Sequence, residues 1–388
     1  MSLPFEDPQE ELRRVVRRFL TRKSPEREVR RLMESAEGFD RDVWDLLAGR
    51  LGLTGLVVPE RYGGAGSSFI ELGVVLEEMG AALLCAPYFS TAVLATGLLL
   101  SCGDEAAMAD YLPGIAAGRT LATVALAERS GLWTEAGVGL EATRTGSGHW
   151  RLSGEKHYVL DGHVADLVLV VARTPGGTSV FAVERAGRAG RAGRSGPVED
   201  GRAAGLTATP VPTLDQTRKL AVLSFDRVTA RLIGAEGRGW PAVSRMLDLA
   251  AVALAAEQVG GAQKVLDMAV AYAKLRVQFG RPIGSFQAIK HKCADMLLEV
   301  EAARSTAEYA AWAVAQDDDE LPAMASLAKS CCSEAYFHAA AENIQIHGGI
   351  GYTWEHPAHL YFKRAKSSEL LFGDAAYHRE LLAQRIGI

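Results

Sequence analysis

The chain lacks most of the features that mark metal-binding and nucleic-acid-binding proteins. It contains only five cysteines in 388 residues, and their spacing matches no metal-ligand motif. Cys331 and Cys332 are adjacent in a helical pattern, which suits neither a zinc site nor a disulfide. The net charge of −5 and the pI near 6.0 indicate no basic surface for nucleic acid. The sequence therefore predicts no bound metal and no nucleic-acid partner.

Long apolar runs are also missing. No run approaches the roughly 20 residues that a membrane-spanning helix needs. Acidic residues appear from Glu6 onward, which is unlike a signal peptide. With 48% hydrophobic and 23% charged residues, the composition is typical of a globular protein that is long enough for two or three domains. These features favour a location in the reducing cytoplasm.

The hydrophobic pattern divides the chain into three predicted domains. Residues 1–118 are predicted to form an N-terminal helical domain, with helices beginning at Asp7 and covering Val43–Leu51 and Ser68–Met79. Residues 119–232 show short apolar runs separated by turns, which predict a middle antiparallel β domain. Its predicted strands are Ala122–Leu126, His149–Leu152, Leu167–Ala172, Val180–Val183 and Leu220–Phe225, and Arg185–Gly205 is predicted to be a flexible loop.

Residues 233–388 are predicted to form a C-terminal four-helix bundle, because helical spacing returns there with short links. Alanine-rich faces in this segment favour close helix packing. The predicted helices are Ala242–Leu275, Phe286–Ala315, Leu321–Ile346 and Glu369–Arg385. The fold class is therefore multi-domain α+β.

A twelve-residue motif, Arg276-Val-Gln-Phe-Gly-Arg-Pro-Ile-Gly-Ser-Phe-Gln287, links the first two of these helices. The guanidinium of Arg276 is a forked donor that suits a pyrophosphate. Phe279 can pack against a cofactor, and Gln287 can hydrogen-bond to it. The alternative is an ordinary helix–turn–helix in which the Phe is buried and the Arg is exposed.

A second motif, Gln345-Ile-His-Gly-Gly-Ile-Gly351, closes the third helix of the predicted bundle. Gly348, Gly349 and Gly351 would let backbone N–H groups approach a polar ligand. The alternative is a helix C-cap, which needs one glycine rather than three. His347 is expected to be a packing or capping residue.

Together with Lys363-Arg-Ala-Lys366 and Leu371-Phe-Gly-Asp374, the two motifs resemble the C-terminal signature of the acyl-CoA dehydrogenase family. The resemblance implies FAD as cofactor, an acyl-CoA thioester as substrate and an electron-transfer flavoprotein as electron acceptor. In the family, both motifs serve the FAD of a neighbouring subunit. The residues of this chain that it assigns to FAD are Arg276, Gln278, Phe279, Gln287, Gln345, Gly348, Gly349 and Gly351.

The catalytic base of the family is missing at both of its known positions. Alignment on Ala365-Lys366 and Gly373 places Phe372 where most members have Glu, and Asp374 where they have Thr. Other members carry the base on the first bundle helix, followed by an Arg for the CoA end, and here these positions are Ala250 and Ala251. The sequence therefore predicts no catalytic residue of its own, and it leaves open whether the chain binds CoA.

The β domain has also lost most of the residues with which family members contact the FAD of their own subunit. Within Ala127-Glu-Arg-Ser-Gly-Leu-Trp133, Glu128 survives with some small residues, while Tyr158 keeps an aromatic position and Leu160 loses a hydroxyl. This erosion resembles the base-lacking subunit of actinobacterial heteromeric acyl-CoA dehydrogenases that act on steroid side-chain thioesters. A homologous partner subunit is therefore expected. The alternatives are a self-sufficient enzyme that uses Asp374 or Glu369, and a flavin-free scaffold.

Overall fold

The computed structural model describes residues 7–146, 149–185 and 203–388, and it divides the chain into two compact units. The first unit contains the N-terminal segment up to Arg31, together with Ser68–Cys85 and Ala250–Ile388. The second contains Leu32–Ser67 and Ala86–Leu249. The domain boundaries after residues 118 and 232 stay a prediction. Residues 186–202 of the predicted flexible loop lie outside the described residues.

The N-terminal region is helical, as predicted. Its helices are α1 (Asp7–Lys23), α2 (Glu26–Glu34), α3 (Arg41–Gly49), α4 (Phe69–Ala81), α5 (Thr96–Cys102) and α6 (Glu105–Ala116). The expected helices at Asp7, Val43 and Ser68 are confirmed as α1, α3 and α4. Ser68 caps α4 through a capping box with Glu71, which explains why α4 begins at Phe69.

The middle region forms one large sheet from seven described strands. They are β1 (Ala122–Ala125), β2 (Glu141–Arg144), β3 (Trp150–Leu160), β4 (Leu167–Thr174), β5 (Gly177–Glu184), β6 (Leu206–Val211) and β7 (Leu220–Ile233). Neighbours follow the order β1-β4-β2-β3-β7-β5, and β5 also pairs with β4, so five strands close into a ring. Most pairs are antiparallel, as predicted, but β1 and β2 run parallel to β4. Trp150 and Phe181 meet edge to face inside, with ring centroids 5.4 Å apart.

The C-terminal region consists of long helices, which confirms three of the four predicted ones. They are α7 (Trp240–Leu275), α8 (Gln287–Ala315), α9 (Leu321–His347), α10 (Ala358–Leu370) and α11 (Ala375–Arg385). The core between α7, α8 and α9 is rich in alanine. A Cβ on Gly261 of α7 would lie 2.4 Å from the ring of Tyr336 on α9, so this close approach requires glycine.

The predicted helix Glu369–Arg385 is wrong. The chain leaves the helical conformation after Leu370 and starts a new helix, α11, at Ala375. Phe372 and Gly373 have left-handed φ values of +63° and +105°, which no α-helix contains. Asp374 then accepts the N–H of Tyr377 and caps α11.

None of the helices in the described ranges is long and apolar enough to cross a membrane. Within the same residues, no group of three His, Cys, Asp or Glu side chains is placed to hold a metal ion.

Candidate cofactor and substrate site

The Arg276 motif forms a short hairpin that begins directly after α7. Strand β8 (Val277–Gln278) pairs antiparallel with β9 (Arg281–Pro282), and the turn between them is Phe279-Gly280. Both turn residues have positive φ, +52° and +78°, as a two-residue type I′ turn requires. The turn therefore forces the side chain of Phe279 outward, and 91% of its surface is exposed. An ordinary helix–turn–helix with a buried Phe is excluded.

Polar side chains of the motif also lack hydrogen-bond partners among the described residues. The side chains of Arg276, Gln278 and Gln287 are exposed, and they make no hydrogen bond or ion pair within the part of the chain that the structure describes. Phe279 meets Phe286 edge-on at 6.2 Å, and the guanidinium of Arg281 lies 4.1 Å above the ring of Phe286. The hairpin is thus internally ordered, while its donors and its Phe face outward.

The glycine motif continues α9 into a 3-10 turn, Gly348–Tyr352. Gly348 adopts a φ of +64°, and a Cβ on Gly348 or Gly349 would meet no atom within 4 Å. A Cβ on Gly351 would lie 2.9 Å from the carbonyl oxygen of Ile344, so this glycine is required for packing instead. Gln345, just before the turn, is exposed and makes no hydrogen bond among the described residues.

The two motifs lie side by side in the first unit. Tyr272, one turn before Arg276, stacks on His347, which precedes Gly348, with ring centroids 4.2 Å apart. The combined surface offers a forked cation, an exposed aromatic ring and glycine backbone that a ligand can approach closely. These features fit FAD, whose pyrophosphate and ring systems need those partners.

Both base positions are apolar and buried. Phe372 is 5% exposed in the turn between α10 and α11, and Ala250 is fully buried inside α7, as is Ala251 at the position of the CoA-binding Arg. None of the three side chains can accept a proton. The structure thus offers no carboxylate at either predicted base position.

A buried clamp holds the turn that carries Phe372. Lys329 on α9 is fully buried, and its Nζ donates to the carbonyl oxygens of Glu369 and Gly373, each at 2.9 Å. His378 on α11 donates from Nε2 to the carbonyl oxygen of Phe372 at 3.1 Å. Burial lowers the pKa of Lys329 to about 7 and that of His378 to about 4. The left-handed turn is therefore held by hydrogen bonds from two buried side chains, Lys329 and His378.

Three carboxylates near the base positions in sequence are already engaged. Asp374 caps α11 through the N–H of Tyr377 at 2.8 Å. Glu369 accepts from Lys366 at 2.8 Å. Glu257 on α7 forms a buried ion pair with Arg364 on α10, with an Nη1–Oε1 distance of 3.0 Å.

In the second unit, Glu128 is held by contacts within the chain. It accepts the N–H groups of Gly139 and Leu140, and the fully buried Nζ of Lys156 lies 2.8 Å from its carboxylate. Burial lowers the pKa of Lys156 to about 8, and Lys156 lowers that of Glu128 in turn. Tyr158 is 42% exposed with a φ of +56°, whereas Leu160 is buried. The exposed Tyr158 is thus available to a ligand, and Leu160 is not.

Sequence reasoning missed the clamp, the ion pair and the stack on His347. A lysine within an alanine-rich helical face was the available signal for Lys329, since a charged residue there must find buried acceptors. Arg364 was part of a quoted motif, but its partner lies 107 residues away in the chain. No local pattern connects the two.

Two family models match this chain. The model described as "Acyl-CoA dehydrogenase, N-terminal domain" matches residues 6–119, and "Acyl-CoA dehydrogenase, C-terminal domain" matches residues 237–387. Acyl-CoA dehydrogenase IpdE2 from Mycobacterium tuberculosis is 35% identical over 360 residues, covering 93% of this chain and 91% of that protein.

Solved structures agree over the full length. A Tcur3481-Tcur3483 steroid ACAD has a TM-score of 0.84 and 32% identity, covering 98% of both chains. The ChsE4-ChsE5 complex from Mycobacterium tuberculosis has a TM-score of 0.87 and 28% identity, covering 100% of this chain and 99% of that one. The chain therefore belongs to the acyl-CoA dehydrogenase family, FAD-dependent oxidoreductases that act on CH–CH bonds.

Proposed function

We propose that this chain is the companion subunit of a heteromeric acyl-CoA dehydrogenase. It donates half of an FAD site to a homologous catalytic partner, which binds the acyl-CoA thioester and supplies the base. The pair desaturates the Cα–Cβ bond and passes its electrons to an electron-transfer flavoprotein. A steroid or lipid thioester is the substrate class that the relatives favour.

One contrast carries this proposal. Arg276, Phe279 and Gln345 are exposed and available to a molecule outside the chain, whereas Phe372 and Ala250 fill the base positions with buried apolar side chains. A self-sufficient enzyme would need the opposite arrangement at the base. The names of two similar solved structures, Tcur3481-Tcur3483 and ChsE4-ChsE5, each join two proteins, which supports a two-component assembly.

In this proposal the two subunits have different roles in the reaction. Desaturation removes an α proton to a base and a β hydride to an acceptor, and FAD supplies the hydride acceptor when it is bound. Arg276 neutralises pyrophosphate charge with paired N–H donors. Phe279 covers an apolar face of the cofactor and excludes water, and the Gly348–Gly349 backbone permits close approach. The proton transfer, worth roughly 10²–10⁴-fold, needs a carboxylate from the partner.

The two alternatives are less well supported. A self-sufficient enzyme would use Asp374 or Glu369, but Asp374 caps α11 and Glu369 pairs with Lys366. A flavin-free scaffold would not explain why Phe279 faces outward and why Arg276 has no partner among the described residues. Leu275 and Val277 are exposed as well, so one short segment presents several large apolar side chains, and exposed apolar patches mark interaction sites.

Flavin content tests the proposal directly. This chain, purified alone, should be colourless, and co-expression with a homologous dehydrogenase subunit should give a yellow complex with about one FAD per pair. Visible flavin absorbance and protein concentration give the ratio. One FAD per subunit in the isolated chain would reject the companion role, and a colourless complex with every homologous partner would support the scaffold.

Replacing Phe372 by Glu should not create a dehydrogenase in the isolated chain. The new carboxylate would occupy the base position, but Leu160 and the altered loop at Glu128 leave the chain's own flavin contacts incomplete. Turnover of a set of acyl-CoA thioesters, compared with a Phe372→Gln control of similar size, measures this. Activity in the Glu variant but not in the Gln variant would mean that the chain has a competent site of its own.

A further inference from the structure

Three aromatic side chains next to the two motifs form a row of ring contacts, here called the stack. Tyr272 is stacked on His347 with ring centroids 4.2 Å apart, and the ring of His356 is tilted against His347 at 4.3 Å. Their interplanar angles are 27° and 43°. His347 is 5% exposed, so the middle ring is enclosed by the other two and by α9. Such contacts stabilise beyond the area that they bury.

Each ring of the stack belongs to a different segment of the site. Tyr272 lies in the last turn of α7, and its carbonyl oxygen accepts the N–H of Arg276 at 2.9 Å. His347 ends α9 and immediately precedes Gly348. His356 precedes α10, whose first N–H, at Ala358, donates to His356 Nδ1 at 3.2 Å. The stack therefore joins the Arg276 hairpin to the glycine turn and to the start of α10.

Hydrogen bonds fix how the two imidazoles carry their protons. His347 Nδ1 lies 2.8 Å from the carbonyl oxygen of Asn343, which can only accept, so this nitrogen is protonated in the neutral ring. His356 Nδ1 accepts from Ala358 and is therefore unprotonated. A second proton on His356 would break the bond to Ala358, and one on either ring would place a cation against its neighbour.

The charges around the stack do not favour an added proton. Burial is the main cause that lowers the pKa of both His347 and His356. Around His356, Glu26 on α2 raises the pKa, while Arg30 on α2 and His347 lower it. On α10, His359 has a pKa lowered to about 4, first by burial and then by Lys363 and Arg30. Tyr272 is the titratable group that α7 places on the stack.

Protons can reach this stack from solvent. His356 lines an open cavity of about 780 Å³ in the first unit, together with Arg17, Glu26 and Tyr361. His347 contacts the ring of His356. Acid can therefore act on the stack without unfolding the bundle.

We propose that Tyr272, His347 and His356 are positioning residues that hold the two FAD-donating segments in one geometry, and that protonation of the imidazoles releases this hold. The inference rests on the proposed FAD donation. The sign follows from burial: both rings resist protonation while stacked, so the loosened state binds protons more readily and gains population as pH falls below about 6.5. FAD retention by the assembled pair should decline over that range.

Two substitutions at His347 separate stacking from titration. His347→Leu keeps apolar bulk but removes the aromatic stack, and it should raise the rate of FAD release roughly three- to tenfold at pH 7.5. His347→Phe keeps the stack but cannot titrate, so it should hold FAD normally at pH 7.5 and shift the midpoint of acid-induced release to lower pH. FAD release from the purified pair, followed by flavin fluorescence, measures both effects.

Controls separate this inference from global instability and from the proposed function. Thermal unfolding of each variant chain should stay near that of the wild type, and His149→Ala, an exposed His in the second unit, should change neither release nor its pH profile. Normal FAD release from the Leu variant, or an unchanged acid midpoint in the Phe variant, would overturn the positioning role. If Arg276→Ala also leaves flavin content unchanged, the FAD donation itself fails.

Discussion

Replacing Arg276 by Ala is expected to strip FAD from the assembled pair while leaving this chain folded. The guanidinium is exposed and makes no hydrogen bond or ion pair within the described residues, so its removal should cost the fold little. Its loss would remove charge-assisted bonds to pyrophosphate, each worth about 1.5–3 kcal/mol, which corresponds to roughly 10- to 150-fold weaker binding. Flavin absorbance after gel filtration of the pair measures the loss.

Two further substitutions sharpen this test. Arg276→Lys keeps the charge but loses the planar fork, so its flavin content should fall between those of the wild type and the Ala variant. Arg281→Ala changes a second arginine of the same hairpin, whose guanidinium stacks on Phe286 instead, and it should retain more FAD than Arg276→Ala. Full flavin occupancy in the Arg276→Ala pair would contradict donation by this chain.

The long helices were predictable because their signals are local. The apolar period and the Ser68–Glu71 capping box define α4, and an unbroken alanine-rich period defines α7. The end of α10 was not predictable in this way, because Leu370, Leu371 and Phe372 continue the apolar spacing and only Gly373 signals a break. The left-handed turn depends on Lys329 and His378, which reach it from other helices.

Strand pairing shows the same limit. The apolar runs located β1 and β4, but the sequence between them does not encode that they run parallel, with Ala122 opposite Leu167. Turns of short antiparallel hairpins are local, whereas a parallel pair is set by a crossover and by the packing of the whole sheet. The antiparallel prediction therefore held for neighbours along the chain more readily than for distant strands.

In the candidate site, too, local features were predictable and long-range contacts were not. The motif residues from Arg276 to Gln287 and from Gln345 to Gly351 were found by spacing, and the structure adds that they face outward. The contacts that support them were not found, because Tyr272, His347 and His356 come from three separate segments. Residues that face a ligand can form a recognisable sequence motif. Residues that hold them in place come from distant parts of the chain and form no motif.

The buried pair of Glu257 and Arg364 is another such support. Their side chains are 8% and 4% exposed and lie 3.0 Å apart, joining α7 to α10. Helix α7 leads into the Arg276 hairpin, and α10 leads into the turn of Phe372. Burying two charges has a high desolvation cost, so the pair adds little net stability, but removing one partner takes this ion pair away from a charge that stays buried.

Replacing Arg364 by Met should therefore destabilise the chain by about 3–5 kcal/mol. Replacing both Arg364 and Glu257 by Met should recover most of that loss, because neither charge of the pair remains and the apolar volume is kept. Urea unfolding of the wild type, both single variants and the double variant forms a complete cycle. Additive losses would mean that the two charges act independently. A strongly coupled cycle would mean that they hold α7, which leads into the FAD-donating Arg276 hairpin, against α10.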